Sequence, residues 1–320
     1  MKKYLITGFS GFVSWHFLQH LEFLEVPVQV FGVDLLGPDF DYTHFKYAGC
    51  RFEKIDLLDK NQVDNLLYQF QPDYILHLAS YSSVAFSWKD PVTSYRNNTN
   101  IFLNLLEQVR NLGMECRVLS VGSSEEYGNV SEADIPLIEE RPLDPVSPYG
   151  AARVSQERLS KIYVDGFGLD IVMTRSFNHI GPRQRETFAV ASFARQLVAM
   201  AKSGMKEGEL SAGDVAIVRD FLDVRDVVKA YHLLFERGQK GSVYNVCGGR
   251  GVSLLEIIRK LAAIIDININ VVKKENLIRP LDNRIIVGSN EKIRRETGWE
   301  PRIPLSRSLE DIVSYWQGEL

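Results

Sequence analysis

The sequence predicts an α/β fold, a doubly wound parallel sheet with a smaller carboxy-terminal lobe. Short apolar runs alternate with longer helical patterns through the first half of the chain, which is typical of βαβ units. A glycine-rich turn directly follows the first apolar run. After about Asn178 the alternation fails, and glycine, arginine and polar residues are frequent as far as Arg219. The sheet is therefore expected to come first and the lobe to follow.

The predicted elements of the sheet alternate in order. Strands are predicted at Tyr4–Thr7, Val28–Asp34, Arg51–Ile55, Tyr74–Ala79, Arg117–Val121 and Asp170–Arg175. Helices are predicted at Gly11–Leu24, Lys60–Phe70, Pro91–Leu112 and Pro148–Phe167. Pro91 and Pro148 stand where a first helical turn accepts proline, because the N–H that proline lacks would have no intrahelical partner there. Ligands of such sheets bind beyond the carboxyl ends of the strands, so those loops are expected to carry the site.

The later part of the chain is predicted to return once to the sheet. Asp223–Phe235 has a helical pattern, Ser242–Val246 resembles a strand, and a last amphipathic helix is predicted at Ser308–Tyr315. We therefore expect one domain of residues 1–177 and about 222–247, and a lobe of about 178–221 and 248–320.

Composition narrows the class of protein. The chain has 320 residues, of which 45% are hydrophobic and 24% charged, the ordinary balance of a soluble globular protein. A formal net charge of -4 gives no general attraction to nucleic acid or to an anionic membrane. No apolar stretch is long enough to span a bilayer. The three cysteines have no metal-ligand spacing, so we expect a cytoplasmic protein without metal, nucleic-acid or membrane partners.

The glycine-rich turn indicates a dinucleotide site. Starting at Gly8, the run Gly-Phe-Ser-Gly-Phe-Val-Ser follows a predicted strand and opens a predicted helix. Gly8 permits the tight turn, and Gly11 lets the backbone approach a pyrophosphate at the helix N-terminus. The run makes the turn a candidate Rossmann motif, with further cofactor contacts expected from Ser10, Phe12 and Val13.

An acidic residue at the end of the second strand bears on the choice of cofactor. The carboxylate of Asp34 would repel a 2′-phosphate, which favours NAD(H) over NADP(H). NADP remains possible if a nearby lysine or arginine holds that phosphate. Further cofactor contacts are expected in the loops after the third and fourth strands, from Asp56, Leu57, Leu78, Ala79 and Ser80.

Tyr149 and Arg153 form the candidate catalytic pair. They are four residues apart in a predicted helix and so share one face. A free tyrosine has a pKa of about 10, and a neighbouring cation favours its phenolate. Arginine supplies that charge as a planar fork that never deprotonates, and is not equivalent to lysine. Ser123 and Glu125 follow the predicted fifth strand, where a hydroxyl can hydrogen-bond a substrate carbonyl while Tyr149 protonates it.

These motifs resemble the extended short-chain dehydrogenase/reductases, and within them the GDP-6-deoxy-4-keto-mannose reductase group. The resemblance spans nearly the whole chain. Its segments are Gly8–Ser14, Ser123–Gly128, Ser147–Gly150, Thr174–Pro182, Arg219–Asp226, Val243–Cys247 and Thr297–Pro301.

The resemblance implies roles for the site residues. It implies that Ser123 orients a keto oxygen and that Tyr149 donates a proton. Arg153 stands in place of the lysine that holds the nicotinamide ribose and tunes the tyrosine. Asn98, which is expected among the cofactor contacts, matches a family asparagine that is structural or part of a proton relay.

The resemblance also implies the ligands and the assembly. The lobe would bind a GDP-linked sugar. Related proteins hold the sugar and the diphosphate of such ligands at positions that match Asn178, Arg183, Arg219 and Arg279. Arginine forks suit phosphate because they bind it through two hydrogen bonds. The implied cofactor is NAD, with NADP possible. A homodimer is implied through the helices Pro91–Leu112 and Pro148–Phe167.

The leading hypothesis is NAD(P)H-dependent reduction of the 4-keto group of a GDP-4-keto-6-deoxy sugar. A glutamate at the position of Glu125 removes the C5 proton in related 4,6-dehydratases, so elimination is one alternative. A nucleotide-sugar 4-epimerase is another. A third is a weakly active or inactive nucleotide-sugar binder, because Arg153 replaces the family lysine.

Overall fold

The strands and helices lie within residues 1–278 and 280–320, which are the residues that the computed structural model describes. Arg279, a predicted substrate contact, lies outside the described residues. The strands are β1 Lys2–Thr7, β2 Val28–Asp34, β3 Ala48–Lys54, β4 Tyr74–His77, β5 Arg117–Ser123, β6 Asp170–Ser176, β7 Asn178–Ile180, β8 Glu207–Ala212, β9 Val218–Asp223, β10 Val243–Val246, β11 Gly251–Ser253, β12 Asn268–Lys273 and β13 Ile285–Ile286. The helices are α1 Phe12–Phe23, α2 Lys60–Phe70, α3 Val84–Lys89, α4 Pro91–Asn111, α5 Pro148–Phe167, α6 Ala189–Lys202, α7 Val224–Arg237, α8 Leu254–Ile265, α9 Glu291–Thr297 and α10 Leu305–Glu319.

The main sheet has seven parallel strands in the order β10-β6-β5-β4-β1-β2-β3. The strand order reverses between β1 and β4, which creates a crevice at the carboxyl ends of these neighbouring strands. Buried aliphatic and aromatic residues fill both faces of the sheet. The predicted doubly wound fold is confirmed.

Smaller sheets and three packed helices make up most of the remaining structure. Strand β9 pairs antiparallel with β11 and parallel with β7 and β13. Strands β8 and β12 form a separate parallel pair. A second apolar core lies among α6, α8 and α10, and its fully buried members include Leu197, Leu261 and Leu309.

The start of α5 sets the position of the candidate catalytic tyrosine. The side chain of Ser147 accepts a hydrogen bond from Gly150 N at 3.0 Å, which caps the helix. Pro148 occupies the first helical turn, and the helix ends at Gly168 in a left-handed conformation. Tyr149 is thus fixed one residue inside a capped helix, next to the carboxyl end of β5.

Several boundaries differ from the prediction by one to four residues, among them the start of β3 and the end of β4. Strand β3 begins at Ala48, three residues before the predicted Arg51, because Ala48 is buried and pairs with Val28 at the sheet edge. Strand β4 ends at His77, so Leu78 and Ala79 belong to the loop that lines the site.

Candidate active site

A cavity of about 800 Å³ opens at the carboxyl edge of the main sheet and is lined by residues of both parts of the chain. It brings together all the predicted site residues that the structure describes except Asn98. These lining residues are Gly8, Ser10, Gly11, Phe12, Val13, Asp34, Asp56, Leu57, Leu78, Ala79, Ser80, Ser123, Glu125, Tyr149, Arg153, Asn178, Arg183 and Arg219.

The glycine turn has the geometry that a dinucleotide requires. Gly8 has a φ of +70°, and a Cβ added there would lie 2.7 Å from Ala79 N. Gly11 is the N-cap of α1 and brings no side chain to the helix terminus, and the first turn carries no acidic residue. An anionic pyrophosphate can therefore approach the first N–H groups of α1. These residues fit a bound NAD(P).

Asp34 fixes the turn and also faces the cavity. Its Oδ2 accepts a hydrogen bond from Ser10 N at 3.0 Å, and its Oδ1 accepts one from Leu35 N at 2.7 Å. Oδ1 also accepts from Leu36 N at 3.4 Å, whereas Oδ2 retains a lone pair that a ribose hydroxyl can use. Asp56 is exposed, and its Oδ1 accepts a hydrogen bond from Leu58 N at 2.9 Å.

A buried threonine and histidine hold the loop after β4 from below. Ala79 N donates to Thr7 Oγ1 at 3.2 Å, and Thr7 Oγ1 lies 2.9 Å from His77 Nδ1. Burial, with a smaller effect of the Arg153 charge, lowers the pKa of His77 to about 3. The neutral imidazole of His77 and the hydroxyl of Thr7 share one hydrogen bond, and Thr7 Oγ1 accepts a second from Ala79 N.

Tyr149 and Arg153 are in direct contact at the wall of the cavity. Arg153 Nε donates a hydrogen bond to Tyr149 Oη at 3.1 Å, and Cζ lies 5.2 Å from the centroid of the tyrosine ring. Both side chains are largely buried, at 6% and 4% exposed respectively. Since the phenol oxygen accepts from Arg153, its own O–H is available to donate to a ligand.

The guanidinium of Arg153 also joins three other parts of the site. Its Nη1 donates to Val121 O at 3.1 Å and to Gln156 Oε1 at 2.5 Å, and its Nη2 donates to Ser80 Oγ. Ser80 Oγ in turn donates to Asn98 Oδ1 at 3.0 Å. The cation is thus held by β5, by α5 and by the loop after β4.

Asn98 does not line the cavity, contrary to its assignment as a cofactor contact. It is fully buried in α4, and its Oδ1 accepts a hydrogen bond from Tyr81 N at 2.9 Å. With the bond to Ser80, this contact fixes the loop after β4 from behind. Because its carboxamide is used in this way, Asn98 supports the site through its neighbours.

Ser123 ends β5 and caps a short 3₁₀ turn. Its Oγ accepts a hydrogen bond from Glu125 N at 3.2 Å, which leaves its O–H free to donate into the cavity. Its own N–H donates to Glu126 Oε1 at 2.7 Å. A Cβ at Gly122 would lie 2.3 Å from that oxygen, so the glycine makes room for the Glu126 carboxyl.

The predicted substrate contacts have different environments. Asn178 is exposed in β7. Arg183 forms an ion pair with Asp39 at 2.8 Å, and its guanidinium lies over the rings of Trp15 and Phe40. It therefore bridges to the loop after β2, on the cofactor side of the cavity.

Arg219 is only 4% exposed and lies between β9 and the segment before β13. Its Nη1 donates to Val218 O at 2.9 Å and to Asn283 O at 2.8 Å, and its Nη2 is ion-paired with Asp282. These bonds order the wall of the cavity around the guanidinium.

Gln156 and Glu126 are among the described side chains around the site that the sequence analysis did not assign. Gln156 is three residues after Arg153, a spacing that places both on one helix face. Glu126 belongs to the matched segment Ser123–Gly128, but nothing in the sequence separates it from the cavity-lining Glu125. Helical spacing alone could have indicated Gln156, whereas the role of Glu126 becomes visible only in the tertiary structure.

The comparisons with known proteins agree over the full length. Residues 5–312 match the family model described as GDP-mannose 4,6 dehydratase. The chain is 32% identical to GDP-6-deoxy-D-mannose reductase of Pseudomonas aeruginosa, an alignment that covers 100% of this chain and 98% of that protein.

Solved structures give the same result. The structure of RMD from Pseudomonas aeruginosa complexed with NADPH superimposes with a TM-score of 0.86 at 32% identity, covering 100% of both chains. A UDP-glucose 4-epimerase of Thermus thermophilus in complex with NAD has a TM-score of 0.86 at 29% identity, covering 99% of this chain and 100% of that one.

The fold and the site define a nucleotide-binding enzyme built on a doubly wound sheet. The chain belongs to the GDP-mannose 4,6 dehydratase family, as the resemblance to extended short-chain dehydrogenase/reductases predicts. It is therefore an enzyme of the NAD(P)-dependent nucleotide-sugar class. No helix of the described residues is both long and apolar enough to pass through a bilayer.

Proposed function

We propose that the protein reduces the 4-keto group of a GDP-linked 4-keto-6-deoxy sugar to an alcohol. The observation that supports this most directly is the contact of Tyr149 with Arg153 beside Ser123, all facing one cavity. Reduction is favoured over the other reactions of the family by the full-length similarity to a protein named GDP-6-deoxy-D-mannose reductase.

The chemistry follows from the donors around the keto oxygen. When bound, the nicotinamide cofactor supplies the hydride to sugar C4. Tyr149 donates its phenolic proton to the oxygen, and Ser123 donates a hydrogen bond that orients it. The positive charge of Arg153, 3.1 Å from Tyr149 Oη, stabilises the phenolate that the proton leaves behind.

The cofactor is proposed to be NAD(H), with NADP(H) as the alternative. Asp34 lines the cavity next to the glycine turn, and its negative charge opposes a 2′-phosphate. One similar structure is named as a complex with NADPH and another as a complex with NAD, so the family accommodates both. The preference between NAD(H) and NADP(H) would then depend on the loops around Asp34.

A 4,6-dehydratase or a 4-epimerase is the second candidate. Glu125 lines the same cavity as Tyr149, where a carboxylate is placed to accept a proton from the sugar. Such an enzyme would regenerate its cofactor in each cycle and consume no net NADH.

We also propose which part of the chain binds which ligand. Residues 1–177 and about 222–247 would bind the dinucleotide, since they contribute the parallel sheet and the glycine turn. Residues of about 178–221 and 248–320 would bind the nucleotide-sugar, with Asn178, Arg183, Arg219 and Arg279 as its contacts.

A homodimer in the cytoplasm completes the proposed function. Helices α4 and α5 pack against each other and carry exposed apolar side chains, among them Val92, Tyr95, Ile162 and Phe167. The three cysteines are free thiols, as expected in a reducing compartment. Light scattering that gives the mass of one chain would remove the dimer from the proposal.

The decisive experiment incubates the enzyme with NADH or NADPH and freshly prepared GDP-4-keto-6-deoxymannose. We expect oxidation of the cofactor and a reduced GDP-sugar in equal amounts, with a loss of about 10²–10⁴-fold in Tyr149→Phe, which lacks the proton. Absence of both products would reject the reductase. Conversion of GDP-mannose without net NADH consumption would instead identify a dehydratase.

A further inference from the structure

Gln156 is a buried side chain of α5 that contacts the guanidinium of Arg153. It is 1% exposed. Its Oε1 accepts a hydrogen bond from Arg153 Nη1 at 2.5 Å, and its Nε2 donates to Ser120 Oγ at 2.9 Å and to Val121 O at 3.2 Å. The carboxamide therefore has a fixed orientation, with its oxygen toward Arg153 and its nitrogen toward β5.

The bonds of Arg153 depend on the shape of a guanidinium. Nε donates to Tyr149 while Nη1 donates to Val121 and Gln156. A lysine at position 153 would end at about the place of Cζ, because both side chains have the same number of bonds to that atom. A single ammonium there has no second nitrogen in the position of Nη1, and Gln156 Oε1 would lose its donor.

We propose that Gln156 is the positioning residue that allows arginine to act at position 153. It holds Nη1, and this orients the planar fork so that Nε faces Tyr149 and Nη2 faces the cavity-lining Ser80. Only one N–H of the guanidinium, on Nη2, has no acceptor among the described residues. That N–H is left for a ligand in the cavity. This inference rests on the proposed function, in which Arg153 supports Tyr149, and on the family resemblance, which implies that residue 153 also holds the nicotinamide ribose.

The proposal makes Arg153 and Gln156 a matched pair. Arg153→Lys alone would leave a buried carbonyl oxygen without a donor, and Gln156→Met alone would leave Nη1 with Val121 O as its remaining acceptor. Because an unsatisfied buried group next to a charge is costly, each substitution is expected to weaken NADH binding and to lower kcat by about ten- to hundredfold. Introducing the usual lysine should therefore weaken the enzyme.

The test is a double-mutant cycle of wild type, Arg153→Lys, Gln156→Met and the double variant. Two quantities are measured: the dissociation constant of NADH by fluorescence titration, and kcat and KM with GDP-4-keto-6-deoxymannose. We expect each single variant to raise the NADH dissociation constant and lower kcat, with little change in KM for the sugar. The double variant should resemble the worse single variant, because residues that act as a unit are not additive.

Ser160→Ala is the matched control, since Ser160 Oγ donates to the backbone oxygen of Gln156 at 2.9 Å and lies 3.2 Å from Ser120 Oγ, but touches neither Arg153 nor the carboxamide of Gln156. It is expected to lower thermal stability but to leave NADH binding and kcat unchanged. Gln156→Glu keeps an acceptor for Arg153, so it should bind NADH more like wild type than Gln156→Met does. Gln156→Glu is also measured against Arg153→Lys if the Gln156→Met variant does not fold.

The proposal is overturned if Arg153→Lys equals or exceeds wild type. It is also overturned if the effects of the two substitutions multiply, or if Ser160→Ala loses as much NADH binding as Gln156→Met. A protein that fails to reduce the keto sugar in every form would reject the proposed function alone. The NADH dissociation constants would still decide whether Gln156 acts through Arg153.

Discussion

Glu126 accepts the backbone N–H of Ser123 at 2.7 Å from a position that is fully shielded from solvent. Burial, and then the negative charge of Glu157, raise the pKa of Glu126 well above its usual range. Oε2 of Glu126 has no hydrogen-bond partner among the described residues, so no donor there stabilises a negative charge. Arg175 compensates the charge of Glu157 through two bonds of 2.8 and 2.9 Å. The candidate catalytic serine is thus held by a carboxyl group that keeps its proton to higher pH than an exposed glutamate does.

Glutamine should replace that carboxyl at little cost. Glu126→Gln keeps the acceptor for Ser123 N and the shape of a protonated acid, so the free energy of unfolding should change by less than about 1 kcal/mol. Glu126→Ala leaves a buried N–H unpaired and should cost about 1–3 kcal/mol from that group alone. Urea unfolding at pH 7 measures both. Equal losses in the two variants would mean that Glu126 is ionised.

Gly8 is expected to tolerate no side chain. A Cβ there would lie 2.7 Å from Ala79 N and 2.8 Å from Leu78 C, both backbone atoms of the loop after β4, which Thr7 and Asn98 hold in place. Gly8→Ala should therefore abolish NAD(P) binding and destabilise the fold well beyond the cost of a positive φ. Gly204→Ala is the control, since Gly204 also has a positive φ, of +78°, but has open space around it. The control should lose only about 1 kcal/mol in thermal unfolding, and an equal loss in both variants would contradict the steric argument.

Local patterns were sufficient to predict the main sheet and the cavity that it carries. The glycine turn at Gly8, the strand end at Asp34 and the helix start at Tyr149 each lie within one βα unit. Parallel strands necessarily bring such units to one edge. For this reason residues far apart in sequence could be assigned to one site without a structure.

Interactions that join distant segments could not be predicted in this way. The apolar positions of α6 and α8 follow a helical spacing, but which faces meet depends on the packing of α10. The ion pair of Arg183 with Asp39 depends on the path of a separate loop, which no local pattern shows. Asn98 was assigned to the cofactor, but it is fully buried and its carboxamide bonds to Ser80 in the loop after β4. Such roles depend on which hydrogen bonds are already satisfied, a property of the folded chain.

His16 should make stability depend on pH in the acid range. Burial lowers the pKa of His16 from 6.5 to about 4, although the hydrogen bond to Pro182 O opposes this shift. A folded-state pKa below the unfolded value means that the unfolded chain binds the proton more readily. The contribution of neutral His16 to the free energy of unfolding is complete above pH 6.5. About 3 kcal/mol of it is lost as the pH falls toward 4.

His16→Gln tests that dependence. Glutamine does not titrate and can donate its amide N–H to Pro182 O, which lies 3.1 Å from His16 Nε2 in the wild type. Urea unfolding between pH 4 and pH 7 should show the wild type losing about 3 kcal/mol more than the variant over this range. Parallel curves for the two proteins would show that His16 is protonated with equal ease in the folded and unfolded states.

Asp34 should determine the preference between NADH and NADPH. Its oxygens are anchored by Ser10 N at 3.0 Å and Leu35 N at 2.7 Å, so the negative charge cannot turn away from a 2′-phosphate. Asp34→Asn removes the charge and keeps the shape, and the NADPH-to-NADH ratio of kcat/KM should rise about tenfold or more, since a close pair of like charges costs over about 1 kcal/mol. Asp39→Asn removes the same charge from the same cavity, but Asp39 is paired with Arg183 and its side chain is 84% exposed. Solvent screens it, and the ratio should change by about twofold at most. If Asp39→Asn raises the ratio and Asp34→Asn leaves it unchanged, the selecting charge belongs to the loop after β2 and the role assigned to Asp34 is wrong.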